Sequence, residues 1–323
     1  MIAFTRILSG GYHLAVDGNY VVASLRGFFT VDLSDPRQPR QIRVHGLDDA
    51  WGAPAFDGTI AYVPWKSGDV NHSEWGLRVL DLTDPTQPRD LGFAPTAGVP
   101  HQAAVHGHYV YVVQSRTRSP SDNGLSVFNV SDPSQPRLIG RVEMPEGTEN
   151  LAVQGHFVYL TYQPQAPGHA YGVRIYDVSD PTHADLMSDF QTRGIPQQIV
   201  VAGDRAYVAN VQFSQGIQVL NVSDPHQPRE MGFVPSAASG LAVGGPYVFT
   251  SDAHGLNVYD VSDPASPTAV AIYPGLDGKD IAIEGQTVAV VTLWEGVGVA
   301  HFAVPECEQY RCAQSAHSDR HIL

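Results

Sequence analysis

The chain has 323 residues with 19 basic and 33 acidic side chains, a formal net charge of −14, which excludes a nucleic-acid partner held through its phosphates. Hydrophobic residues at 43 % exclude a largely disordered protein, and charged residues at only 16 % beside 31 glycines and 24 prolines point to many turns. No apolar run approaches the roughly 20 residues that cross a bilayer, so no membrane partner is expected and the chain reads as soluble, unprocessed and cytoplasmic.

In chain order, the first predicted element is a strand over residues 2–8, IAFTRIL, which has no unit of its own. A repeated unit then begins. One marker recurs as LAVDG, PAFDG, AAVHG, LAVQG, IVVAG, LAVGG and IAIEG, ending at Gly18, Gly58, Gly107, Gly155, Gly203, Gly245 and Gly285. A second marker, SDP or TDP, has its aspartate at Asp35, Asp84, Asp132, Asp180, Asp224 and Asp263, at intervals of 49, 48, 48, 44 and 39 residues. Within a unit, as in LAVQG-HFVYLTY…GVRIYDVSDP…DLMSDF, apolar residues alternate with polar ones over short runs, giving four strands A to D. Proline fits the second position of a tight turn and the preceding Asp or Ser accepts a backbone N–H, so SDPxxP is the turn from strand C to strand D.

Four antiparallel strands repeated around a ring describe a β-propeller. The last unit ends at GVGVAHFAVP, one strand short, and the orphan strand at residues 2–8 supplies the missing edge. The expected fold is therefore all-β, a seven-bladed β-propeller closed by the N-terminal strand pairing in the last blade. It forms one domain over residues 1–304, followed by a polar tail at 305–323. The strand-C segments GLRVLDLTDP, GVRIYDVSDP and GLNVYDVSDP resemble the LVIVD-repeat family of bacterial β-propellers, from about Gly10 to Val304. That resemblance implies the scaffold; it carries no activity, because fold alone does not fix function.

The functional residues are sought where the repeat is broken at the channel mouth. Just before strand A the units align Tyr12, Gly52, His101, Glu149, Gln197, Ser239 and Lys279. The next position holds His13, Ala53, Gln102, Asn150, Gln198, Gly240 and Asp280. Loops between strands B and C at the same end add Trp65, Lys66, Trp75, Arg116, Tyr162, Asn210, Asp252 and Trp294, and Trp51 lies nearby. Both lysines (Lys66 and Lys279) and all four tryptophans fall on this face, a wall for a ligand with an apolar or planar part, or a plug of long loops onto the ring.

Glu149, His101, Lys279 and Asp280 are the candidate catalytic set: carboxylates whose environments separate their pKa values, a proton carrier, and a cation as anion partner or nucleophile. The alternative is a carboxylate pair satisfied by Lys279 and solvent. His13, Trp51, Trp65, Lys66, Trp75, Gln102, Arg116, Asn150, Tyr162, Gln198, Asn210, Asp252 and Trp294 are the candidate ligand contacts. His72, His169 and His254 could join His13 and His101 around zinc or copper, but no ligand spacing supports this, so no metal or cofactor is expected. Cys307 and Cys312 read as ordinary thiols. The expected function is an enzyme acting on a small polar or amphipathic molecule at the channel mouth by acid/base chemistry, of lyase, isomerase or hydrolase type. The alternatives are a non-catalytic protein-interaction scaffold and a ligand-binding propeller. Oligomeric state is not readable from the sequence.

Overall fold

The computed structural model describes residues 2–5, 13–17, 20–24, 28–35, 38–43, 52–67, 74–115, 122–144, 147–163, 170–211, 216–252, 254–276, 278–284, 287–292 and 296–301. Trp51, Arg116, Trp294, His72, His169, the two cysteines and the tail at 305–323 lie outside these residues, as does the side chain of Glu149. Among the described residues no helix is long and apolar enough to cross a membrane.

The strands pair into seven four-stranded antiparallel sheets. Strand β1 (Ile2–Thr5) comes first in the chain. Sheet 1 comprises β2 (His13–Asp17), β3 (Tyr20–Ser24), β4 (Phe28–Asp32) and β5 (Arg40–Arg43). Sheet 2 comprises β6 (Ala55–Asp57), β7 (Ile60–Ser67), β8 (Glu74–Asp81) and β9 (Arg89–Pro95). Sheet 3 comprises β10 (Val99–His106), β11 (Tyr109–Ser115), β12 (Gly124–Asn129) and β13 (Arg137–Glu143). Sheet 4 comprises β14 (Gly147–Gln154), β15 (Phe157–Gln163), β16 (Gly172–Asp180) and β17 (His183–Gln191). Sheet 5 comprises β18 (Ile195–Ala202), β19 (Arg205–Val211), β20 (Gly216–Asn221) and β21 (Arg229–Val234). Sheet 6 comprises β22 (Gly240–Gly244), β23 (Tyr247–Asp252), β24 (Gly255–Asp260) and β25 (Thr268–Tyr273). Sheet 7 comprises β26 (Gly278–Glu284), β27 (Thr287–Thr292) and β28 (Gly296–His301), with β1 as its fourth strand. The β1–β28 register runs from Ile2 opposite Ala300 to Thr5 opposite Val297. The all-β propeller expectation holds.

Turn chemistry sets the sheet period. Gly58, Gly107, Gly155, Gly203 and Gly245 close the A–B hairpins at φ of 56–61°, and a Cβ there would meet nothing within 4 Å. Glycine is required by backbone conformation and not by space. At the C–D turn the aspartate carbonyl accepts the N–H three residues on, as in Gln87 to Asp84 and Gln135 to Asp132 at 3.0 and 2.9 Å. The carboxylate accepts the N–H and hydroxyl two residues on, at 2.9 and 2.6 Å for Thr86 on Asp84. Asp81, one turn position earlier, does the same for Thr83, which with Arg89 holds its carboxyl down at about 2. The motif is thus a doubled side-chain-to-backbone turn.

Apolar residues of the alternating strands meet between sheets. Leu14, Val16 and Val21 of sheet 1 pack with Ala282 and Ala289 of sheet 7, and Phe249 and Leu256 of sheet 6 pack with Ile281 and Val288. Similar clusters lie between sheets 1 and 2, 2 and 3, 3 and 4, 4 and 5, and 5 and 6. Each fully buried leucine such as Leu14 or Leu151 contributes roughly 1.5–3 kcal/mol of burial. Strands β2, β6, β10, β14, β18, β22 and β26 each pack on the next, and β26 also packs on β2.

Candidate site at the channel mouth

The two sequence positions that break the repeat have distinct structural causes. The first is a β-bulge. Strand A shifts register between Pro100 and Gln102, Thr148 and Leu151, Pro196 and Gln198, and Gly278 and Asp280, so His101, Glu149, Gln197 and Lys279 sit in the bulged segments. Lys279 is exposed. His101 is half-buried; burial holds its imidazole below the ordinary histidine range, and Nε2 lies 2.5 Å from Ser115 Oγ within its own sheet. Burial thus favours the neutral form of the His101 imidazole.

The second position fastens one sheet to the next. Gln102 Oε1 accepts the Leu151 N–H at 2.9 Å, Asn150 Oδ1 accepts the Ile199 N–H at 2.9 Å, and Asp280 Oδ2 accepts the Leu14 N–H at 3.0 Å. In each case the donor is the residue one beyond the same position in the following sheet. A side chain from one sheet therefore serves a strand-A backbone donor of the following sheet, beside the register shift in the cases of Leu151 and Ile199, which leaves no costly unpaired N–H there. At Ala53, with only a methyl group, the backbone takes over: Ala53 donates to the His101 carbonyl and its own carbonyl accepts from Ala103, at 2.8 and 2.9 Å. His13 is followed around the ring by Pro54, which has no N–H to clasp, and Ser24 Oγ bonds the Gly52 carbonyl at 2.8 Å instead. Gly240 has no side chain; Ser251 Oγ bonds the Gly278 carbonyl at 3.0 Å, and the Ile281 N–H goes to Oδ1 of Asp280 at 3.0 Å.

Two further members of this ring carry polar side chains, His13 and Gln198. Both converge on Asp280. His13 Nδ1 lies 4.0 Å from Asp280 Oδ2, with the His13 side chain 37 % exposed and that of Asp280 5 % exposed. Gln198 Nε2 donates to Asp280 Oδ1 at 2.8 Å. Burial pushes the Asp280 carboxyl up to about 6, opposed by the Leu14 N–H, the Gln198 amide and the Ile281 N–H. The site is a buried carboxylate beside an accessible imidazole, contributed by Asp280 and His13 from opposite ends of the sequence.

The remaining candidates sit elsewhere. Trp65 is 4 % exposed, in the core cluster between sheets 1 and 2, with the Arg78 guanidinium 4.3 Å above its ring. Trp75 is half-buried under Lys66 Nζ at 5.3 Å. Tyr162 is buried, donates to Asp189 Oδ1 at 2.6 Å and carries Arg174 over its face at 4.5 Å. Asn210 is buried and donates to the Val208 carbonyl and Gln218 Oε1, both at 3.1 Å. Asp252 accepts from the His254 N–H at 2.7 Å and Asn257 Nδ2 at 3.2 Å. Among the described residues no three His, Cys, Asp or Glu come together to hold a metal ion.

No curated protein matches the chain. Solved structures share its fold at low identity. The β-propeller domain of Myceliophteria thermophila Cps50 (Swd1) is 13 % identical, with TM-score 0.69 over 94 % of this chain and 100 % of that one. A candidate 6-phosphogluconolactonase from Bacteroides uniformis is 14 % identical, with TM-score 0.64 over 90 % and 88 %. A chain of the mitotic checkpoint complex is 12 % identical, with TM-score 0.69 over 94 % and 93 %. The LVIVD repeat model matches residues 97–144, 147–192, 193–236 and 235–274. These segments cover more than half of the sequence, and the chain belongs to the LVIVD-repeat family.

Proposed function

We propose that residues 1–304 form one ring of seven blades closed by β1, and that the ring acts on a small polar molecule at its mouth by proton transfer through His13, with Asp280 as its charge partner. The pairing of β1 with β28 and the apolar cluster joining sheets 7 and 1 support the closure. The observation that carries the chemistry is the His13–Asp280 pair: a carboxylate withdrawn from water beside a solvent-reaching imidazole. Both Asp280 oxygens are engaged by N–H donors, so Asp280 orients and stabilises charge, while His13 meets the substrate. In this division of labour the protonated imidazolium is stabilised by the ionised carboxylate, and the imidazole returns the proton to a leaving group or carbanion.

The reaction class is hydrolytic, eliminating or isomerising, and the candidate lactonase among proteins of this fold makes lactones a reasonable first panel. The test follows proton release from a panel of lactones and esters in a pH-stat, and solvent-deuterium incorporation into keto acids and sugars by NMR. Turnover lost in His13→Ala and Asp280→Asn with folding intact supports the reading. An active wild type whose His13→Ala variant keeps full turnover, or a wild type inert on every class, overturns it.

A further inference from the structure

The repeat assigns Gln198 a place. Its counterparts Gln102 and Asn150 each turn an oxygen toward the next sheet, and the matching donor for Gln198 would be the Leu241 N–H of sheet 6. Gln198 does something else. Its amide donates to Asp280 on sheet 7, 82 residues away. Among the described residues no side chain of this position spans sheets 5 and 6, and Gln198 Oε1 is buried with no hydrogen-bond partner. An unpaired buried acceptor is unfavourable, so the arrangement sacrifices a fastening to bring one N–H to Asp280.

Gly240 leaves the space beside Asp280 open. A Cβ at this position would stand 2.6 Å from Ser251 Oγ and 3.0 Å from the Cα of Asp280, which would displace the very residue that Gln198 reaches. We propose that Gln198 is a positioning residue, holding Asp280 ionised and turned toward His13, and that Gly240 is the gap through which it acts. The proposal rests on the reading of His13 and Asp280 as the reacting pair. The ionisable groups on the strands packed about Asp280 are these: β2 brings His13 and, at its far end, Asp17; β26 brings Lys279 and, at its far end, Glu284; β23, which packs on β26, brings Asp252 and, at its far end, Tyr247. Strands β18, β22 and β27 bring none.

The experiment is a titration of the Asp280 carboxyl by carbon-13 NMR, assigned with Asp280→Asn, in the wild type, Gln198→Met and Gln198→Glu. Loss of the donor in Gln198→Met should raise the midpoint by about one pH unit, a tenfold change in ionisation, and the like charge in Gln198→Glu should raise it at least as far. A merely structural glutamine would lower the melting temperature and leave the midpoint in place, and that result in either folded variant overturns the proposal. The titration needs no substrate. A shifted midpoint in an enzyme-inactive protein would sink the catalytic reading while leaving the positioning role intact.

Discussion

Replacing Asp280 with asparagine separates the cost of burying its charge from the benefit of its hydrogen bonds. The carboxyl is displaced from 3.8 to about 6 by burial, so in the folded protein it holds its proton over a range where the unfolded chain has released it. A folded-state pKa raised above the unfolded one contributes stability that is present in full below 3.8 and is lost as pH rises through 6. The displacement of about two pH units corresponds to ~3 kcal/mol, of which roughly 2–3 kcal/mol develops between pH 4 and pH 8. Asparagine does not titrate. The stability of Asp280→Asn minus that of the wild type should therefore grow by about 2–3 kcal/mol across that interval. Urea unfolding of both proteins in a His13→Ala background at several pH values measures it, and the subtraction then cancels the groups that do not interact with Asp280. A difference that stays constant, or shrinks with rising pH, would refute the assignment of Asp280 as a carboxylate carrying a desolvation penalty.

Gln102→Leu keeps the side-chain size but strands the Leu151 N–H, and should cost about 1–3 kcal/mol in urea unfolding; a loss below about half a kcal/mol would show that Gln102 fastens nothing. The turn aspartates predict an acid limb of opposite sign to Asp280. Asp81, held at about 2 by the Thr83 hydroxyl and Arg89, and Asp84, Asp132, Asp180 and Asp260, all held below 3.8 by neighbouring hydroxyl and N–H donors, contribute stability above pH 4. That contribution drains away as pH falls through the folded values toward 2, and Asp84→Asn together with Asp132→Asn should flatten the limb in a thermal-melt series.

The scaffold was legible in the sequence because its turns are local. A glycine at φ near +57° and an Asp-Pro pair each announce a turn within four residues, so Gly155 and Asp180 mark their unit without reference to any other. The polar ring at the mouth was legible as a position but not as a set of roles. Gln102 and Asn150 look like ligand contacts until the strand-A bulge and the donor in the next sheet are seen, and both are matters of register between segments about fifty residues apart. His13 stands out only once Pro54 is recognised as lacking a donor, and that signal was present in the sequence. Of the tryptophans, Trp65 packs in the core cluster between sheets 1 and 2, on the strand that pairs with the strand of Trp75, a burial that composition alone does not reveal.

The His13–Asp280 pair requires the two ends of the chain to meet, and the pairing of β1 with β28 carries the residues just before His13 into the sheet of Asp280. Ala3 and Val299 are register partners across that pair. In a protein carrying Cys307→Ser and Cys312→Ser, the double variant Ala3→Cys, Val299→Cys should form a disulfide within one molecule under mild oxidation, with a raised melting temperature that reverts on reduction. Thiols that stay free, or that link only one molecule to another, would contradict the closure and separate the proposed pair.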